Sequence, residues 1–176
     1  MIVWQDADDR GLLRLSYERI VMATERERKF LVTGEGWRGG VVRERSIRQA
    51  YLASTPHAAI RIRISDEARA TLTIKSAEPG MERSEFEYDV PLEDGRAMMA
   101  LRTGAVIDKR RHVVPAGDLE WEIDIFAGEH AGLVMAEIEL PANDTPFDRP
   151  DWLGEEVTGD PRYYNAAMAL GTGAKG

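Results

Sequence analysis

Glu25 and Glu27 stand two residues apart in Thr24-Glu-Arg-Glu-Arg-Lys-Phe-Leu-Val32, with Lys29 two further on. Glu137 and Glu139 repeat the spacing in Ala136-Glu-Ile-Glu-Leu140. Both segments alternate charged and apolar residues as a strand does, so each sets its acids on one face. Neighbouring carboxylates repel, and a plain structural sheet has no reason to accept the cost. A divalent cation between them removes it and takes carboxylate oxygen as ligand. The chain has no cysteine, which excludes disulfides, thiolate metal sites and cysteine nucleophiles. His57, His112 and His130 are scattered without metal-binding spacing and read as surface or turn residues. Oxygen is the metal-ligand chemistry that remains.

The basic residues carry the complementary signal. A formal net charge of -8 argues against general nucleic-acid binding, which needs a basic surface to displace counterions from phosphate. Only four of the 23 basic residues are lysines: Lys29, Lys75, Lys109 and Lys175. The first three fall on the charged face of strand-like segments, in a chain that otherwise uses arginine. A compact ammonium is not exchanged freely for a planar guanidinium where a point charge must fit.

These groups need strands to position them. Alternating patterns lie at 24–32, 44–53, 59–65, 70–76, 82–90, 106–114, 119–126 and 133–140, which makes eight. Along them Ile60, Ile62, Ile64, Leu72, Ile74, Phe86, Tyr88, Ile123, Ile125 and Ile138 form an apolar face opposite the charged one. A barrel with a polar interior, covered outside by helices, satisfies that pattern and removes edge strands. Two segments offer the cover: Pro91 to Thr103, with Pro near its start and Gly104 as a stop, and Asp160 to Leu170. The glycines of Gly34-Glu-Gly-Trp-Arg-Gly-Gly40 match a dinucleotide fingerprint only formally, because the next residues lead to a strand rather than a helix; this is a loop.

The charges are also sorted by strand. Carboxylates dominate the first and last strands, with Asp124 on the seventh, whereas Arg61, Arg63, Lys75, Lys109 and Arg111 dominate the third, fourth and sixth. Facing each other across a barrel, these make an acidic wall and a basic wall, and a linear triphosphate carrying hard metal ions fits between them.

The ordered set Glu25-x-Glu27-x-Lys29, Arg61-Ile-Arg63, Thr73-Ile-Lys75, Arg83-Ser-Glu85-Phe-Glu87, Lys109-Arg-Arg111, Trp121-Glu-Ile-Asp124 and Glu137-Ile-Glu139 resembles the triphosphate tunnel metalloenzymes, also called CYTH proteins. The resemblance implies a mainly β (α+β) fold, a closed eight-stranded antiparallel β-barrel tunnel with flanking helices. It implies a domain over residues 22–176 preceded by an N-terminal extension, 1–21. It also implies that Glu25, Glu27, Asp124, Glu137 and Glu139 hold Mg2+ or Mn2+. By the same carry-over Lys29, Arg61, Arg63, Lys75, Arg83, Lys109 and Arg111 cradle the phosphates, and Glu85 and Glu87 orient them. Glu25, Glu27, Lys29, Glu137 and Glu139 are the catalytic set.

The expected activity is metal-dependent hydrolysis of inorganic triphosphate or a small organic triphosphate, by water attack on a terminal phosphorus. Two alternatives stay open: a class IV adenylate cyclase making cyclic AMP from ATP, and a non-catalytic polyphosphate- or nucleotide-binding module. The expected partner is a small triphosphate, with neither nucleic acid nor membrane, in a monomer or homodimer. No apolar run has membrane-spanning length and the first residues lack a signal-peptide pattern, so a soluble cytoplasmic protein is expected.

Overall fold

The computed structural model describes residues 26–76 and 85–175. Glu25, Arg83 and the expected extension 1–21 lie outside them. Among the described residues the chain forms β1 (Glu27–Val32), β2 (Arg43–Ser54), β3 (Ala58–Ser65), β4 (Arg69–Ser76), β5 (Glu85–Val90), α1 (Leu92–Ala100), β6 (Thr103–Ala116), β7 (Leu119–Phe126), β8 (Val134–Glu139), β9 (Leu153–Glu156) and α2 (Asn165–Ala169). All strand pairs are antiparallel, in one sheet of order β5-β4-β3-β2-β6-β7-β8-β1-β9.

Two expectations change here. The sheet has nine strands rather than eight, because Leu153–Glu156 adds to the free side of β1, with Phe30 opposite Glu156 and Val32 opposite Leu153. Four residues with no apolar alternation give no strand signal. The sheet is also not closed by hydrogen bonds into a barrel: β5 and β9 are its two edges among the described residues. It is nevertheless bent into a trough. Arg111 on β6 donates to Glu137 on β8, reaching over β7, and Lys109, Arg111, Asp124 and Glu137 are buried although they lie opposite the apolar face.

The register sets which side chains share the concave face. It carries Glu27 and Lys29 of β1, Glu137 and Glu139 of β8, Glu122 and Asp124 of β7, Lys109 and Arg111 of β6, Arg45 and Gln49 of β2, Arg61 and Arg63 of β3, Thr73 and Lys75 of β4, and Glu85 and Glu87 of β5. The convex face is apolar, and two core clusters cover it. Phe30, Trp121, Ile123, Ala136 and Ile138 are closed over by Trp37, from the glycine-rich loop, and by Phe147 and Trp152. The rings of Phe30, Trp121, Phe147 and Trp152 meet edge to face at 5.5–6.2 Å. Ala50, Ile62, Ile64 and Ala70 are covered by α1 through Met99, Met98 and Leu92. Pro91 starts that helix, and Glu93 and Asp94 suit the positive end of its dipole. Gly95 lets it press onto the sheet, since a Cβ there would come within 2.5 Å of the Ala70 Cβ.

The second helix does not flank the barrel as expected. Asp160 to Leu170 forms a short 3-10 turn and then α2, which packs on the concave face. There Tyr51, Ile107, Phe126 and Met135, with Leu31 and Ala59, turn one end of that face apolar, and Met168 and Ala169 of α2 seat against them. Gly104, with φ +77°, allows the contact, because a side chain on it would run into the Ala169 carbonyl oxygen. The charged residues thus occupy a trough whose far end is an apolar floor. His112 and His130 are buried rather than superficial, His112 packing its ring on Trp37 at 5.1 Å.

Candidate active site

Each strand contributes side chains at alternate positions, and four of the strands build one ion cluster. Lys29 Nζ lies 2.5 Å from a Glu137 oxygen and 2.8 Å from Glu27. Arg111 donates to both oxygens of Asp124 at 2.7 Å, to Glu137 at 2.8 Å, and to Glu122. Lys109 donates to Asp124 and stands 5.5 Å from the centre of the Phe126 ring. The solvent-free setting makes these interactions strong: Lys109 is 1% exposed and Asp124 0%.

Proton affinities follow the pairing. Burial works against the Lys29 charge, but Glu137 and Glu27 outweigh it and hold the ammonium well above its ordinary pKa. Burial also opposes charge on Arg111, Asp124 and Glu137, yet opposite charges keep the arginine high and both carboxylates low. Lys109 goes the other way. Burial, with Arg111 and Arg63 nearby, overcomes Asp124 and lowers it to about 8.

The other side of the trough is paired more thinly. Arg61 donates to Thr73 at 3.2 Å and stands 3.9 Å from Glu85, and its Nε has no partner among the described residues. Thr73 in turn donates to Glu87, and Glu85 also pairs with Lys75 at 3.2 Å. Arg63 donates to the amide oxygen of Gln49 at 3.3 Å and has no carboxylate within ion-pair distance among the described residues. Burial, then repulsion from Arg61 and Arg111, lowers it to about 10.

Apart from Glu25 and Arg83, every site residue expected from the sequence lies on the concave face. Four other polar residues join them there: Arg45, Gln49, Thr73 and Glu122. Glu122 stands two residues before Asp124, so the same alternation that marks Asp124 also marks it. Gln49 and Thr73 are uncharged, and a charge pattern does not find them.

The donor set fits a hard divalent cation. Its ligands are carboxylate oxygens, and Glu27 and Glu139 are directly opposite across the β1–β8 pair, with Glu137 next along. Among the described residues no three acidic or imidazole groups form a ready cage. Asp124 engages both oxygens with Lys109 and Arg111.

Comparison with known proteins agrees with this geometry. The CYTH domain family pattern matches residues 23–164. An inorganic triphosphatase from Acetivibrio thermocellus is 38% identical over 151 residues, 84% of this chain and 94% of that one. One from Nitrosomonas europaea is 34% identical, over 84% of this chain and 97% of its own. A solved inorganic triphosphatase structure superposes with a TM-score of 0.61 at 32% identity, covering 88% of this chain and 99% of its own. With the family pattern spanning residues 23–164 and two relatives more than 30% identical over nearly their whole length, the chain belongs to the CYTH domain family.

Proposed function

We propose that the protein is an inorganic triphosphatase, a phosphoric anhydride hydrolase that cleaves a terminal phosphate from inorganic triphosphate. The observation that carries this reading is the asymmetry of the trough: Arg63 and Arg61 are short of negative charge, and they share the concave face with Glu27, Glu137 and Glu139. A chain of phosphates with a metal ion supplies charge to both sides. The two relatives from A. thermocellus and N. europaea are inorganic triphosphatases by name.

Arg61, Arg63, Lys75 and Lys109, with Arg83, would bind phosphate oxygens and spread the charge that develops in a loose transition state. Lys29 and Arg111, locked by Glu137, Glu27 and Asp124, would align the acidic wall. Glu85 and Glu87 would fix Lys75, Arg61 and Thr73. Glu27, Glu137 and Glu139, with Glu25, would hold Mg2+ or Mn2+, which supplies charge neutralisation and polarises the phosphoryl group when bound. The experiment is phosphate release from inorganic triphosphate, ATP and thiamine triphosphate, with cyclic AMP assayed in parallel, in Mg2+, in Mn2+ and after chelation. Release from inorganic triphosphate at the highest rate, abolished by chelation, is expected. Preferred turnover of ATP to cyclic AMP, or turnover that survives chelation, would contradict the reading.

A further inference from the structure

Gln49 has no role in the site as described, yet it is 0% exposed on the concave face of β2, directly opposite Arg63 of β3. Arg63 can only donate, so the group it meets at 3.3 Å is the amide oxygen, and the amide nitrogen is turned away from it. Among the described residues that Nε2 has no hydrogen-bond partner. A buried amide donor left unsatisfied is costly and rare, and it marks a place where an acceptor belongs. A second orphan stands on the neighbouring strand: Arg61 Nε, also buried and without a partner among the described residues, on the same face as Gln49. The register between β2 and β6 shifts between Gln49 and Tyr51, the kind of irregularity that re-aims a side chain beside a site.

Two unsatisfied donors, one neutral and one cationic, ask for a ligand that only accepts and has several oxygens to offer. From this geometry we infer that Gln49 is a substrate-contacting residue: Nε2 donates to a phosphoryl oxygen of the triphosphate while Oε1 holds the Arg63 guanidinium in place. The neutral amide matters at this position. A third cation beside Arg61 and Arg63 would add to the repulsion that already lowers Arg63, whereas an amide binds oxygen without adding charge. The inference rests on the triphosphatase reading and adds a residue to it.

The test compares Gln49→Met, Gln49→Glu, Arg63→Met and the double variant Gln49→Met/Arg63→Met in the full chain, with inorganic triphosphate and Mg2+. Gln49→Met keeps the volume but has neither donor nor acceptor. It should raise KM by about tenfold with a smaller fall in kcat, as loss of a binding contact does. Gln49→Glu keeps the acceptor for Arg63 without the donor and should not rescue. On the Arg63→Met background, Gln49→Met should still lower kcat/KM by roughly fivefold, because each residue has its own contact with substrate.

Rescue by Gln49→Glu, or no added effect in the double variant, would show that Gln49 acts only by holding Arg63 and overturn the inference. An unchanged KM in Gln49→Met would mean that water alone meets Nε2, with the same consequence. Should Gln49→Met fail to fold, Gln49→Glu decides the case: near wild-type KM overturns the inference, and a raised KM supports it. A wild-type protein inactive on triphosphate strikes the function itself, whereas an active wild type with unaffected variants strikes only Gln49.

Discussion

The two sides of the trough hold similar charges under opposite conditions. On β6, β7, β8 and β1, Lys29, Lys109 and Arg111 are each matched by carboxylates from neighbouring strands, most of them buried. On β2 and β3, Arg63 has an amide for its partner and Arg61 keeps one nitrogen unsatisfied. A cation already surrounded by acids is built into the fold, and removing it leaves its partners stranded without water. A cation without an acid is a cost that the fold carries, and under the proposed function the triphosphate would relieve it. Similar side chains on the same face therefore have different tasks, and the pairing, more than the residue type, tells them apart.

The largest effect should come from breaking the paired side. Arg111→Met leaves Asp124, Glu137 and Glu122 without their shared partner, and breaking a buried ion pair costs about 3–5 kcal/mol. Thermal unfolding should fall by roughly 10–20 °C, with activity lost as well. A fall of only a few degrees would mean that Lys29 and Lys109 suffice to hold the acids.

A smaller effect should separate two lysines. Lys109 is sealed between Asp124 and the Phe126 ring, and the wider guanidinium of Lys109→Arg cannot keep that position, so kcat/KM should fall by about a hundredfold, the cost of a misplacement near 1 Å. Lys75 is only half-buried beside Glu85, so Lys75→Arg should cost less than about threefold. Equal kinetics in the two variants would show that charge alone counts at both places.

The smallest effect belongs outside the trough. Arg28 and Glu156 form a partly exposed pair between β1 and β9, and the hydrogen bond from Arg28 lowers the Glu156 carboxyl. Its stabilisation is present at neutral pH and lost as pH falls through the lowered value, the sign expected for a depressed carboxylate. Glu156→Gln should therefore remove about 1 kcal/mol or less at pH 7, with the difference from wild type vanishing in acid. A difference that persists or grows in acid would assign the cost to packing instead.

Much of this was legible in the sequence because strand alternation has a period of two: once Glu27, Arg63, Lys109 and Glu137 are placed on strands, they must share a face. The loop character of Gly34–Gly40 was legible for a similar reason, since no helix pattern follows it. What the pattern misses is set by contacts distant in sequence. Leu153–Glu156 is a strand only because β1 has a free edge for it. The segment around α2 is apolar, but nothing local says that it seats on the concave face at the end where Tyr51, Ile107 and Phe126 replace charge. Gln49 carries no charge, and its importance lies in an unpartnered nitrogen that only the packed structure shows.

The most direct test is thermal unfolding of Arg63→Met, with and without inorganic triphosphate, beside wild type. The two-sided account predicts that Arg63→Met unfolds at or slightly above the wild-type temperature without ligand, since a half-buried cation with no carboxylate partner among the described residues has been removed. It also predicts that the rise triphosphate gives wild type is largely lost. An apo protein destabilised by Arg63→Met as much as by Arg111→Met, or a variant still stabilised fully by triphosphate, would contradict it.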